Sequence, residues 1–168
     1  MPVNRQLDRT DAALLRALNA DPRATVISLA ETLSLSRNTV QSRLARMESG
    51  AIGPFERRVL PGSVGYPIEA AISMIVEQQL LDEIAAELAH IPEVLSVLGV
   101  SGGIDLLVMV AAQDADALYG VAGRVLSLNG VVRTETHLVM RQLVPRRIMP
   151  LIERLAGTEP QDHSSETA

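Results

Sequence analysis

TVISLAETLSLSRNTVQSRLARMESGAI, residues 25–52, decides how this chain folds. It holds two short helical patterns separated by about three residues. Thr25 is placed to cap a helix over 26–33, with Leu29, Ala30 and Leu33 facing inward. Ser34 and Leu35 make the turn, and Ser36 caps a second helix over 37–49. Leu35 and Val40 are spaced as a hydrophobic staple. Val40, Leu44 and Met47 recur as a buried stripe, and Gly50 follows as a natural stop. The opposite face carries Asn38, Ser42, Ala45 and Arg46 with Thr39 beside them, and Arg37, Gln41 and Arg43 lie on the flanks. Small polar side chains let a helix press into a groove, and long basic ones at its margins reach phosphates. Alone, Arg43 and Arg46 also fit a plain solvated face. Joined to the capped turn, the pattern predicts a helix-turn-helix that contacts double-stranded DNA through Ser36, Arg37, Asn38, Thr39, Gln41, Ser42, Arg43 and Arg46.

Upstream, a helix is expected over 8–19. Asp8 caps it, Asp11 sits in its first turn, Leu14, Leu15 and Leu18 form its stripe, and Asp21-Pro22 ends it. Downstream, FERRVL at 55–60 reads as extended, and the prolines and glycines around it mark a linker. From residue 68 the pattern changes. Strands are expected over 68–76, 94–100, 104–111 and 131–143, with helices over 80–90 and from Asp114 or Asp116 to 128. That β-α-β-β-α-β order predicts a ferredoxin-like sandwich. The expected fold class is therefore α+β: a winged-type helix-turn-helix domain (1–53), a linker strand (54–67) and a ferredoxin-like domain (68–145). A C-terminal helix and a disordered polar tail (146–168) follow.

Composition narrows the function. Net charge is −5, yet residues 1–62 hold nine Arg against six Asp/Glu, a net +3, while residues 63–168 carry −8. Every basic residue is arginine, which suits bidentate contact with phosphate or guanine. Cysteine is absent, which excludes disulfides and thiolate chemistry and fits a reducing compartment. The longest stretch without a charge is 94–104, well short of the roughly 20 residues a membrane helix needs, and the N-terminus has no apolar signal core. A cytoplasmic protein without membrane attachment is expected. His90, His137 and His163 form no metal-ligand pair, and no phosphate loop or nucleophile elbow appears, so neither an enzyme, a metal nor a cofactor is expected. The core has to be aliphatic, because only Phe55, Tyr66 and Tyr119 are aromatic. The 47% hydrophobic content also hints at subunit interfaces.

These segments together resemble the leucine-responsive and asparagine-responsive (Lrp/AsnC) regulators. The resemblance is carried by LDRTDAALLRAL at 7–18, Arg23, the pattern from Leu35 to Arg46 followed by GAI at 50–52, VLPGSVGY at 59–66 and GVSGGIDLLVMV at 99–110. It implies a sequence-specific transcription regulator whose second domain dimerises, assembles further to an octamer, and binds a small effector, an amino acid, between subunits. The family's effector loop matches Ser101, Gly102, Gly103, Ile104 and Asp105, with Ile104 where an aromatic residue often stands. The family's last strand brings Thr136 and His137 to the same site. Read on their own, Gly102-Gly103 fit a simple hairpin turn and Asp105 a strand-end hydrogen bond. In the effector reading the glycine N–H groups would receive a carboxylate and Asp105 an ammonium group. The competing functional class is an architectural protein that coats DNA with no need of a ligand.

Overall fold

Two carboxylates close the start of the first helix, α1 (Arg9–Ala20). The Asp11 N–H donates to the Asp8 side chain at 2.9 Å, and the Asp8 N–H donates to the Asp11 side chain at 3.1 Å. This capping box satisfies two N–H groups that the helix itself cannot. Helices α2 (Val26–Leu33) and α3 (Arg37–Glu48) are capped by Thr25 and Ser36, as their sequence requires. Between them Ser34 takes a left-handed conformation, φ 52°, which turns the chain sharply. These elements are read from a computed structural model that describes residues 6–53 and 59–157.

The described residues form two compact units, 6–53 with 144–157 and 59–143. In the first, Leu14, Leu29, Ala30, Val40 and Met47 make the core, with Leu18, Leu33, Leu35 and Leu44 packed against it. A carboxylate and two guanidiniums finish the joint between α1 and α3. Asp11 is 1% exposed. Arg46 Nη2 donates to both of its oxygens, at 2.7 and 2.6 Å. Arg43 Nη1 donates to Asp11 at 2.8 Å and to Asp8 at 2.6 Å. The C-terminal helix α6 (Met149–Ala156) belongs to this same unit and packs on α1, whereas the sequence reading set residues 146–168 apart as a separate end. The expected strand at 55–60 falls mostly on residues 54–58, and the expected disordered tail on residues 158–168. Both lie outside the described residues.

The second unit is a four-stranded antiparallel sheet in the order β2-β3-β1-β4, the split arrangement expected of a ferredoxin-like fold. Its strands are β1 (Ile68–Val76), β2 (Val94–Gly99), β3 (Leu106–Ala112) and β4 (Val131–Leu138). Alternation along β1 and β3 sends Ala70, Ile72, Met74, Val76, Leu106, Val108 and Val110 to one face. There they bury against α4 (Leu81–Leu88) and α5 (Ala115–Leu126) through Ile84, Leu88, Val121 and Val125. The other face carries Ser73, Ile75, Leu107, Met109, Arg133, Glu135 and His137, by the strand register.

Strand β4 stops at Leu138, not at 143. Ala70 pairs with Leu138 and the Val139 N–H donates to the Glu69 carbonyl, and beyond that Pro67 precedes β1 and offers no N–H. Strand β3 begins two residues later than expected because Asp105 is used in a corner, described below. No helix among the described residues is long and apolar enough to cross a membrane.

Two measurable consequences follow from the packing. Gly130, at φ +83°, turns the chain from α5 into β4, and a Cβ there would lie 2.7 Å from Leu80 Cδ1 and 3.3 Å from Ile84 Cδ1. Gly130→Ala should therefore lower stability by about 2–3 kcal/mol in denaturant unfolding. The Arg43 hydrogen bond, then the Asp11 N–H, hold the Asp8 carboxyl below its ordinary value. Arg124 does the same for Glu93. A depressed carboxylate stabilises the fold above the unfolded-state value and loses that contribution as pH falls through the folded one. The melting temperature should hold from pH 7 to 5 and drop below about pH 4. Asp8→Asn should flatten part of that acid limb.

Candidate nucleic-acid interface and effector pocket

The first turn of α3 is a small polar scaffold. The Thr39 N–H donates to Ser36 Oγ at 3.1 Å, the Ser36 and Thr39 hydroxyls lie 2.8 Å apart, and Ser42 Oγ donates to the Thr39 carbonyl at 3.1 Å. Around it Arg37, Asn38, Gln41, Ser42 and Ala45 are exposed. Among the described residues, the Arg37, Asn38 and Gln41 side chains make no hydrogen bond or ion pair. This leaves one basic guanidinium and two amides at the leading end of an exposed helix, the chemistry that reads phosphates and base edges.

The other two arginines of α3 are placed differently from the sequence reading. A helical wheel fixes where a Cα sits, and a long side chain can still swing back along the surface. Arg43 and Arg46 turn toward α1 and hold Asp8 and Asp11, with side chains 22% and 40% exposed. They neutralise a buried carboxylate and so fix the angle between α1 and α3.

In the second unit, a pocket of about 250 Å³ opens on the sheet face opposite α4 and α5. Ser73 and Ile75 of β1 form its floor, Gly103 and Ile104 of the β2–β3 turn one wall, and Arg133 and Glu135 of β4 the other. Strand register explains the grouping, since Ser73 pairs with Glu135 and Ile75 with Arg133. Arg133 and Glu135 form an ion pair, and both stay at least half exposed. His137 lies on the same face, with Nε2 3.2 Å from Ser73 Oγ and 4.0 Å from Glu135. The turn is shaped by Gly102 at φ +123°, where a side chain would be strained.

Of the expected effector residues, Gly103 and Ile104 line this pocket, and Ser101 and Gly102 form the turn beside it. Asp105 does not face it with a free carboxylate. Its oxygens accept from the Val76 N–H at 2.9 Å and from Gln78 Nε2 at 2.5 Å, while its own N–H donates to the Met74 carbonyl at 2.8 Å. This is the strand-end role, and it ties β3 to the end of β1. Thr136 pairs with Ile72 and so points to the helix side of the sheet. Arg133 and Glu135 were not singled out by the sequence reading, although it placed the strand stretch 134–139 at the site, and Ser73 and Ile75 were missed. Period two along β4 carries the signal for the first two, because placing His137 in the site places Glu135 and Arg133 on the same face.

Comparison with known proteins finds a family domain on each of the two parts of the chain. The family model for the AsnC-type helix-turn-helix domain matches residues 7–48, and that for the Lrp/AsnC ligand binding domain matches residues 69–149. The HTH-type transcriptional regulator LrpA of Mycobacterium tuberculosis is 34% identical over 140 residues, which cover 82% of this chain and 93% of that protein. The HTH-type transcriptional regulator FL11 of Pyrococcus furiosus is 29% identical over 136 residues, covering 80% and 90%. Among solved structures, Escherichia coli AsnC superposes with a TM-score of 0.76 at 25% identity, covering 87% of this chain and all of that one. A transcriptional regulator from Neisseria meningitidis in complex with L-Met gives 0.71 at 26% identity, covering 83% and 94%. These relatives are transcriptional regulators, not enzymes. With a helix-turn-helix of that type ahead of a sheet domain of that type, the chain belongs to the Lrp/AsnC family of DNA-binding transcriptional regulators.

Proposed function

We propose that this regulator binds specific DNA sites through α3 and changes its binding when an amino acid occupies the sheet pocket. The pocket carries the effector reading. Arg133 suits the carboxylate of a zwitterion and Glu135 its ammonium group, and Ile75 and Ile104 give an aliphatic wall for the side chain. The Gly103 backbone and the Ser73 hydroxyl add polar partners. The existing Arg133–Glu135 pair opens to admit the ligand, each charge exchanging one partner for another. That the Neisseria meningitidis relative was solved with L-Met supports an amino acid as the ligand class.

The pocket opens on a face bearing Leu98, which is 51% exposed, and the half-buried Ile75, Leu107 and Met109. Apolar surface of this kind favours a second copy of the chain. In this reading two sheets meet face to face, the effector lies between subunits, and dimers assemble further to an octamer. The dimer sets two α3 helices in successive major grooves, about 34 Å apart. Arg37, Asn38 and Gln41 contact the DNA. Ser36, Thr39 and Ser42 shape the helix start, and Arg43 and Arg46 orient the helix through Asp8 and Asp11 of α1. Its DNA target places this regulator in the cytoplasm.

Two experiments test these readings. In a thermal-shift screen of the twenty amino acids, the effector at a hundred times its Kd should add about 2.7 kcal/mol of stability. Arg133→Ala should abolish the shift while leaving the unliganded melting temperature nearly unchanged. An unaltered shift in that variant removes the pocket from consideration. In footprinting at physiological salt, the chain should protect discrete palindromic sites. Asn38→Ala should weaken them by about 1–3 kcal/mol and relax preference at one base position. Uniform coverage of any DNA would favour the architectural reading instead.

A further inference from the structure

Helix α6 lies beyond both family-model matches but for its first residue. The ligand-binding match ends at Met149, the first residue of α6, and the helix-turn-helix match ends at residue 48. Yet α6 is a well-bounded helix. Pro150 sits in its first turn, and Gly157 ends it in a left-handed conformation at φ 81°. It buries Ile152 to 8% exposure while Leu151 remains 59% exposed, so it has an inner and an outer side. It packs on α1, within the DNA-binding unit. On α1, Ala12 is fully buried although it is not part of the cluster formed with α2 and α3. A small residue at that place lets a second helix approach closely.

We propose that α6 is a fourth helix of the DNA-binding unit and that Ile152 is a positioning residue for the recognition helix, acting through α1. The route is short. Ile152 seats α6 on α1. The first turn of α1 carries Asp8 and Asp11, and these hold Arg43 and Arg46 of α3 at 2.6–2.8 Å. Asp11 is buried and held by two guanidiniums, so a shift of α1 moves α3 with it. Loss of α6 therefore alters the angle at which Arg37, Asn38 and Gln41 meet DNA. Base readout depends on that angle more than phosphate contact does.

This rests on α3 being the helix that reads DNA. The test uses the full-length chain and a duplex enriched by it from a random pool, with an unrelated duplex as reference. Ile152→Ala should lower the ratio of selected to unrelated affinity about ten-fold, whereas Ile152→Leu should keep it. A merely structural loss would reduce the active fraction on both duplexes equally and leave the ratio unmoved. Asp11→Asn should lower the ratio similarly, and the double variant Asp11→Asn/Ile152→Ala should fall no further than either single one. Hydrogen exchange should quicken in α1 in the Ile152→Ala protein. An unchanged ratio for Ile152→Ala beside a reduced one for Asp11→Asn overturns the role of α6 while keeping α3 as reader. So does a double variant whose loss is the product of the two. If the pool yields no enriched sequence, or Asn38→Ala leaves the ratio intact, the DNA reading of α3 falls and this proposal falls with it.

Discussion

A carboxylate removed from water has to find its charge partners inside the protein, and Asp11 is the place where this chain meets that demand. Its exposure is 1%, and three donors answer it: the Asp8 N–H, Arg43 and Arg46. The consequence is geometric. The start of α1 and the second half of α3 are fixed to each other by charge as well as by the Leu14, Val40 and Met47 core. It also divides α3 by task. Basic residues past its middle orient the helix, and the exposed polar ones in its first turns are those the proposed function assigns to DNA. In helix-turn-helix docking the N-terminal residues of the recognition helix are those that approach base edges, so the division suits the motif.

The sheet domain is organised by a different constraint, the two-residue period of a strand. On one side the period yields a continuous aliphatic layer under α4 and α5. On the other it sets a charged pair, a serine and a histidine beside isoleucine, leucine and methionine. A fully solvated face has no need of the apolar members, and a purely hydrophobic interface has no need of Arg133 and Glu135. Both together fit a surface that meets a second copy and holds a small polar guest at the seam. Asp105 contributes by closing the corner between β1 and β3, which fixes the Gly103–Ile104 wall over the floor.

Most of the fold was legible because local signals agreed with one another. Thr25, Ser36 and Asp114 cap helices where their spacing to the apolar stripes says they should. The strand at 68–76 was readable to the residue. What local signals could not carry was anything decided across the fold. The end of β4 depends on where its partner runs out at Pro67. The direction of Arg46 depends on a carboxylate 35 residues away in the chain. The place of α6 depends on α1, the far end of the sequence. Within the candidate site, the glycine turn was legible from the resemblance. The two-residue period puts Arg133 and Glu135 on the face of His137, and Ser73 and Ile75 became visible only when the register put them opposite Glu135 and Arg133.

The chain path adds a last constraint on regulation. It leaves the DNA-binding unit once, through the linker after residue 53, and returns to it after β4, the strand that carries Arg133 and Glu135. Only the ten residues from 139 to 148 separate the end of β4 from the start of α6. This second connection shortens the covalent route from the strand of Arg133 and Glu135 to α6. Connection alone still does not make a switch. The ligand shifts DNA binding only by the difference in its affinity for two arrangements. In the proposed reading the Arg133–Glu135 pair is where that difference arises, because a zwitterion would part the two side chains to enter, and they stand on the strand from which the returning segment departs.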